Sequence, residues 1–103
     1  MTITQENENG KLTISLDGWL DHASAPELGA VLEAIDPSAP LRELVIDFAK
    51  VEYISSAGIR QLVLGHRIAK EMNADFSVIH VNPEVMSILA ITGLDKKLAV
   101  SGD

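Results

Sequence analysis

The stretch Leu44-Val45-Ile46-Asp47-Phe48 constrains this chain most. It is short and almost continuously apolar, which suits a strand buried on both faces of a parallel sheet with helical cover. The sequence on either side supplies helices. Downstream, a helical period runs from about Ser56 to Met72, with Ile59, Leu62, Val63 and His66 on one face and Ala69 or Lys70 next along. Upstream, Leu28, Val31, Leu32 and Ile35 recur at helical spacing as one apolar stripe. Ser24-Ala25-Pro26-Glu27 has the form of a capping box before that stripe, and Pro26 is tolerated in a first turn. Asp36-Pro37-Ser38-Ala39-Pro40 ends it in a loop.

Period-2 alternation marks further strands. Leu12, Ile14 and Leu16 share one face of Lys11–Leu16, and Thr2–Glu8 is a weaker strand before it. Asn9-Gly10 between them predicts a tight hairpin, because both residues tolerate positive φ. Phe76–Val81 reads as a strand, and Asn82-Pro83-Glu84 caps a third helix with Val85, Ile88 and Leu89 inward and Gly93 at its C′ position. Leu98-Ala99-Val100 either adds a short strand or packs down. The order β-β-α-β-α-β-α predicts a single α/β domain over residues 1–103. Its sheet is expected to be mostly parallel, with about four strands plus a short one, about three covering helices and an opening hairpin.

Composition narrows the function. Fifteen acidic residues against eight basic ones, with the basic residues scattered, argue against nucleic acid and favour a partner with a basic face. The absence of cysteine removes disulfides, thiolate metal sites and cysteine nucleophiles, and fits a reducing compartment. No apolar run reaches membrane-spanning length, and the first residues lack the basic flank and apolar core of a signal peptide. A cytoplasmic protein without a membrane role is expected.

In such sheets function gathers in the loops at the carboxyl ends of strands. Two are prominent here: Gly18-Trp19-Leu20-Asp21-His22, and Phe48 to Ser55, which delivers Ser56 to the start of the second helix. Asp47, at the end of its strand, is expected on the same rim. Ser55 or Ser56 is the natural N-cap. Gly58, unfavourable within a first helical turn, offers absence of bulk, so that another chain or a phosphate can come close. A phosphoryl group there meets free N–H groups and the positive end of the helix. It also adds negative charge near Asp47 and Asp21. Trp19 is either an interface anchor or core. Ser56, His22 and Asp21 could in principle form a hydrolytic group, but no base stands at a telling spacing. His22, His66 and His80 are too dispersed for a metal site, and Asp21 with Asp47 lacks a phosphate loop for Mg²⁺. The expectation is therefore no catalysis, no metal and no cofactor.

Tyr53-Ile54-Ser55-Ser56-Ala57-Gly58-Ile59-Arg60, preceded by Leu44–Phe48, resembles the signature of STAS domains, the family of anti-sigma-factor antagonists and of a domain of sulfate transporters. Leu16–Asp21 and Ile91-Thr92-Gly93-Leu94 extend the resemblance over essentially the whole chain. The resemblance implies a regulator that binds an anti-sigma factor, a serine kinase with a histidine-kinase-like ATPase fold, and so frees a sigma factor. The kinase then phosphorylates a serine at the helix start, and a phosphatase resets it. Aligned on Gly58, the acceptor falls on Ser56, with Ser55 as second choice; Ser55 occupies the family's Asp position and Ala57 replaces its second hydroxyl. The partner surface then comprises Trp19, Asp21, His22, Asp47, Ser55, Ser56, Ala57, Gly58 and Arg60. The alternatives are a constitutive accessory or scaffolding subunit of a transporter or signalling assembly, with Ser56 only a helix cap, and a small-ligand or nucleotide module at the rim. Monomer and weak dimer, the latter through an exposed edge strand, both remain open.

Overall fold

Asn9 and Gly10 take φ values of 53° and 84° in the computed structural model, which describes residues 1–102. Two successive left-handed residues make the turn whose twist matches a pair of strands. They join β1 (Thr2–Glu8) to β2 (Lys11–Leu20) as the expected hairpin, with Glu8 opposite Lys11. The chain continues through α1 (Ala25–Glu33), β3 (Glu43–Ile54), α2 (Ser56–Glu71), β4 (Asp75–Ile79), α3 (Pro83–Ile91) and a short α4 (Leu94–Lys97). The strands lie in the order β1-β2-β3-β4. β2, β3 and β4 run parallel, while the hairpin makes β1 antiparallel, so the sheet is mixed.

The core fills one face of this sheet. Leu12, Ile14 and Leu16 of β2 and Leu44, Ile46 and Phe48 of β3 meet Leu28 and Leu32 of α1 and Leu62 and Ala69 of α2. The expectation of cover on both faces holds only at the centre. Val45 is buried on the opposite face, but Thr13, Ser15, Asp47 and Ser77 around it are half-buried and polar.

Helix α2 is rotated from the face its aliphatic residues suggest. Gly58, Leu62, Gly65 and Ala69 point inward, and Val63 is 41% exposed. The cause is Gly65: a Cβ there would stand 3.0 Å from the Phe76 ring, so the helix packs closest along its smallest residues. Asn82 caps α3 as expected, its Oδ1 accepting from Val85 N at 2.8 Å, and Gly93 follows that helix with φ 75°. The tail does both things expected of it. Leu98 is buried, and Val100 bridges Val78 in parallel, with Ser101 N donating to Val78 O at 2.9 Å.

The largest departure is β3. It continues to Ile54 instead of giving way to a loop after Phe48. Its buried residues switch from alternation to Phe48, Val51 and Ile54, every third position. The register explains this. Ser15 pairs Asp47 and Asp17 pairs Lys50, then Gly18 pairs Val51 and Trp19 pairs Tyr53. At each of these two steps β3 holds one more residue than β2, the mark of a bulge that bends and twists the strand.

Candidate functional site

β1 pairs with β2 only as far as Asp17, and β4 with β3 only as far as Asp47. Beyond those points β2 and β3 pair with each other alone, ending with Leu20 opposite Ile54. This two-stranded arm carries the start of α2. Ser55 N donates to Leu20 O at 2.9 Å, and Ile59 N closes the first helical turn on Ser55 O at 2.9 Å.

Ser55 is the N-cap. It is extended, with φ −101° and ψ 175°, and its Oγ accepts from Gly58 N at 3.3 Å. Ser56 is therefore not the cap; it is the first helical residue and is exposed. Its hydroxyl makes no side-chain hydrogen bond among the described residues. The first turn of α2 contains no acidic side chain, whereas α1 has Glu27 and α3 has Glu84 there. Ala57 is half-buried, and Arg60, exposed, stands one turn beyond Ser56 on the same side of the helix.

Gly58 has a nearer reason to be glycine than room for a partner. A Cβ there would lie 2.7 Å from Leu20 O, 2.8 Å from Leu20 Cγ and 2.9 Å from Ile54 Cγ1. The close approach is the domain's own arm, and Gly58 is buried beneath it.

The expected capping box at Ser24 does not form. Ser24 Oγ donates to Trp19 O at 2.6 Å and accepts from Asp21 N at 3.0 Å, leaving no side-chain cap on α1. Asp21 Oδ1 accepts instead from Ala23 N and Ser24 N, each at 3.0 Å. Ser24 Oγ also reaches Asp21 Oδ1 at 3.1 Å, sharing its proton with Trp19 O, and the Ser24 backbone N–H first and this hydroxyl next hold the Asp21 carboxyl below its ordinary value. β2 ends here and its last carbonyls need donors, and Ser24 is the residue close enough to supply one. Asp21 Oδ1 is engaged with Ala23 and Ser24, and no hydrogen bond joins Ser56, His22 and Asp21 among the described residues. His22 is exposed in the turn beside it.

Trp19 is 58% exposed, which excludes core packing. It lies beside Tyr53, itself 44% exposed, with ring centroids 5.6 Å apart and planes tilted by 47°. Tyr53 was legible as part of the serine motif but not as Trp19's neighbour, because the register that joins them passes through both bulges.

Asp47 is not on this rim. It ends no strand: β3 runs seven residues further to Ile54, roughly 20 Å along the arm. Its Oδ1 meets His80 Nδ1 at 3.0 Å and accepts from Ala49 N at 2.9 Å on the polar face of the sheet. The arm thus gathers Trp19, Asp21, His22, Ser55, Ser56, Ala57, Gly58 and Arg60 at one end of the domain and leaves Asp47 behind. His66 lies elsewhere, edge-on to Phe76 at 5.7 Å.

The family model described as "Mlab, STAS domain" matches residues 3–100. The chain is a STAS-domain protein. A Bordetella bronchiseptica protein provisionally named anti-sigma factor antagonist BtrV is 30% identical over 94 residues, 90% of this chain and 79% of the relative. The anti-sigma F factor antagonist of Paenibacillus polymyxa is 21% identical over 97% of this chain and 86% of its own length. Among solved structures, an anti-sigma factor antagonist from Mycobacterium paratuberculosis superimposes with a TM-score of 0.77 at 29% identity, covering 99% of this chain and 86% of that one. Among the described residues of this STAS domain, no helix is long and apolar enough to cross a membrane.

Proposed function

We propose that this STAS domain is an anti-sigma-factor antagonist of the cytoplasm, a non-catalytic binding module that docks through the β2–β3 arm and the start of α2 and is switched off by phosphorylation of Ser56. The names of its relatives support the general role. The observation that carries the switch is the division of labour between the two serines. Ser55 Oγ is held by Gly58 N, while Ser56 is exposed and its hydroxyl has no hydrogen-bond partner among the described residues.

The chemistry is a phosphoryl transfer supplied by the partner. Ser56 Oγ attacks the γ-phosphorus of ATP bound by the anti-sigma kinase; the new bond is Oγ–P, the broken one joins that phosphorus to the departing ADP, and the hydroxyl proton leaves with a base of the kinase. The product sits over the N–H groups of Ser56 and Ala57, which have no intrahelical acceptor, at the positive end of α2. Phosphorylation then leaves the domain folded and changes only what its partner meets. Hydrolysis by a phosphatase restores the hydroxyl. The scaffolding alternative relied on Ser56 as the helix cap, the role Ser55 fills.

The test incubates the protein with its cognate anti-sigma kinase and ATP, then maps phosphate by mass spectrometry. Phosphate on Ser56 and loss of kinase binding in Ser56→Asp are expected. Phosphate elsewhere, or a Ser56→Asp variant that binds unchanged, removes the proposal.

A further inference from the structure

We infer that the Trp19–Tyr53 pair is a recognition site for an arginine side chain carried by the partner protein. The inference deepens the proposed function and rests on the docking role of this arm. Two aromatic rings stand in water next to each other, 58% and 44% exposed, and their 47° tilt leaves a face of each ring available. Neither ring is there by loose placement. Trp19's carbonyl is tied by Ser24 Oγ at 2.6 Å, and Tyr53 is turned outward by the second bulge of β3. A site already ordered loses little freedom on binding.

The charge around the rings selects the occupant. Asp17 lies two residues before Trp19, on the same face of β2; it is exposed, and the ion pair found among the described residues, His80 with Asp47, does not involve it. Lys50, opposite Asp17, is the basic residue of the two strand ends, set against Asp17, Glu52 and Asp21. The chain as a whole carries −7. Aromatic faces with Asp17 on the same side of the strand, in an acidic chain, attract a cation and repel a phosphate, which disfavours a nucleotide base as the stacking partner. Between the two basic side chains, the planar guanidinium stacks on a ring while its edge donates a fork of hydrogen bonds to a carboxylate, and a lysine ammonium cannot do both.

Trp19 is the sole tryptophan of the chain, so its emission reports the site directly. The probe is a blocked Gly-Arg-Gly-Arg-Gly peptide, titrated alongside versions with lysine and with uncharged citrulline. A saturable change in Trp19 emission is expected for the arginine peptide, weakened by salt, severalfold weaker for lysine and absent for citrulline. Tyr53→Ala and Asp17→Asn are each expected to weaken it about tenfold or less, and Tyr53→Phe to retain it. Amide shifts by NMR should concentrate on residues 17–20 and 50–54. An equal response to citrulline, or shifts confined to other surfaces, overturns the inference. Kinase treatment separates it from the switch: a saturable arginine response in a protein whose Ser56 takes up no phosphate leaves the arginine site standing and removes the switch, and phosphate on Ser56 without that response removes the site alone.

Discussion

Ser55 donates its backbone N–H to the carbonyl of Leu20 at 2.9 Å, and through that bond the last residue of one strand fixes where a helix begins. The same residue then caps that helix with its hydroxyl. Ser55 is thereby committed twice to architecture, and Ser56, next in the chain, is left with nothing structural to do.

Alanine at the two serines should therefore act oppositely to the usual expectation for a phospho-acceptor. Ser55→Ala is expected to lower stability by about 1 kcal/mol through loss of the cap, a fall in Tm of several degrees for a domain of this size. Ser56→Ala should leave stability within about 0.5 kcal/mol and abolish phosphorylation. Urea denaturation of both variants checks this; a larger loss at Ser56 than at Ser55 would mean that the capping assignment is wrong.

Gly58→Ala tests the packing beneath the arm. The added methyl would meet Leu20 O at 2.7 Å, a backbone atom that cannot swing away. A destabilisation of about 1–3 kcal/mol is expected, with amide shifts spreading to Leu20 and Ile54. A neutral result, as helix propensity alone would favour, would show that the arm yields easily.

Gly29→Ala should behave differently, although its Cβ would also find an atom at 2.8 Å. That atom is Gln61 Oε1, the end of a flexible side chain and a buried oxygen without a hydrogen-bond partner. Displacing it into water removes an unsatisfied group while the helix gains alanine's propensity. A gain of about 0.5–1 kcal/mol in thermal unfolding is expected, and a loss would show that Gln61 is held.

Asp21 gives the domain an acid-side dependence. Its folded value lies below the ordinary 3.8, through the Ser24 N–H first and the Ser24 hydroxyl next. A depressed carboxylate contributes stability that is fully present above the unfolded value and is lost as pH falls through the folded one. NMR titration should find the Asp21 midpoint below 3.8, and Ser24→Ala should move it upward. An unchanged midpoint in Ser24→Ala would remove the Ser24 hydroxyl as a contributor and leave the backbone N–H, which alanine keeps.

Local rules carried much of this molecule. Asn9-Gly10 specified the hairpin and Asn82-Pro83 the cap of α3, because each depends on backbone geometry within a few residues. The serine motif was recognised, and with it the family and the end of the sheet where the candidate site lies. What escaped needed two segments at once. Phe48, Val51 and Ile54 at every third position look like neither strand nor helix until β2 is laid alongside, so the sequence alone reads the arm as a loop with Asp47 at its root. Ser24 had the form of a helix cap, but the carbonyl of Trp19 competed for its hydroxyl and won. Helical period puts Val63 on the face of Leu62, whereas Gly65 sets the line of closest packing.

The doubled bulge in β3 has an evolutionary corollary. Phe48, Val51 and Ile54 hook the arm to the core at fixed intervals, while Ala49, Lys50, Glu52 and Tyr53 between them are exposed. Those outward positions are free to change identity but not number: deleting Ala49 or Lys50 would swing Glu52 inward and lift Ile54 into water. Descendants of such a protein can exchange one partner for another by replacing letters in this segment, never by lengthening or shortening it.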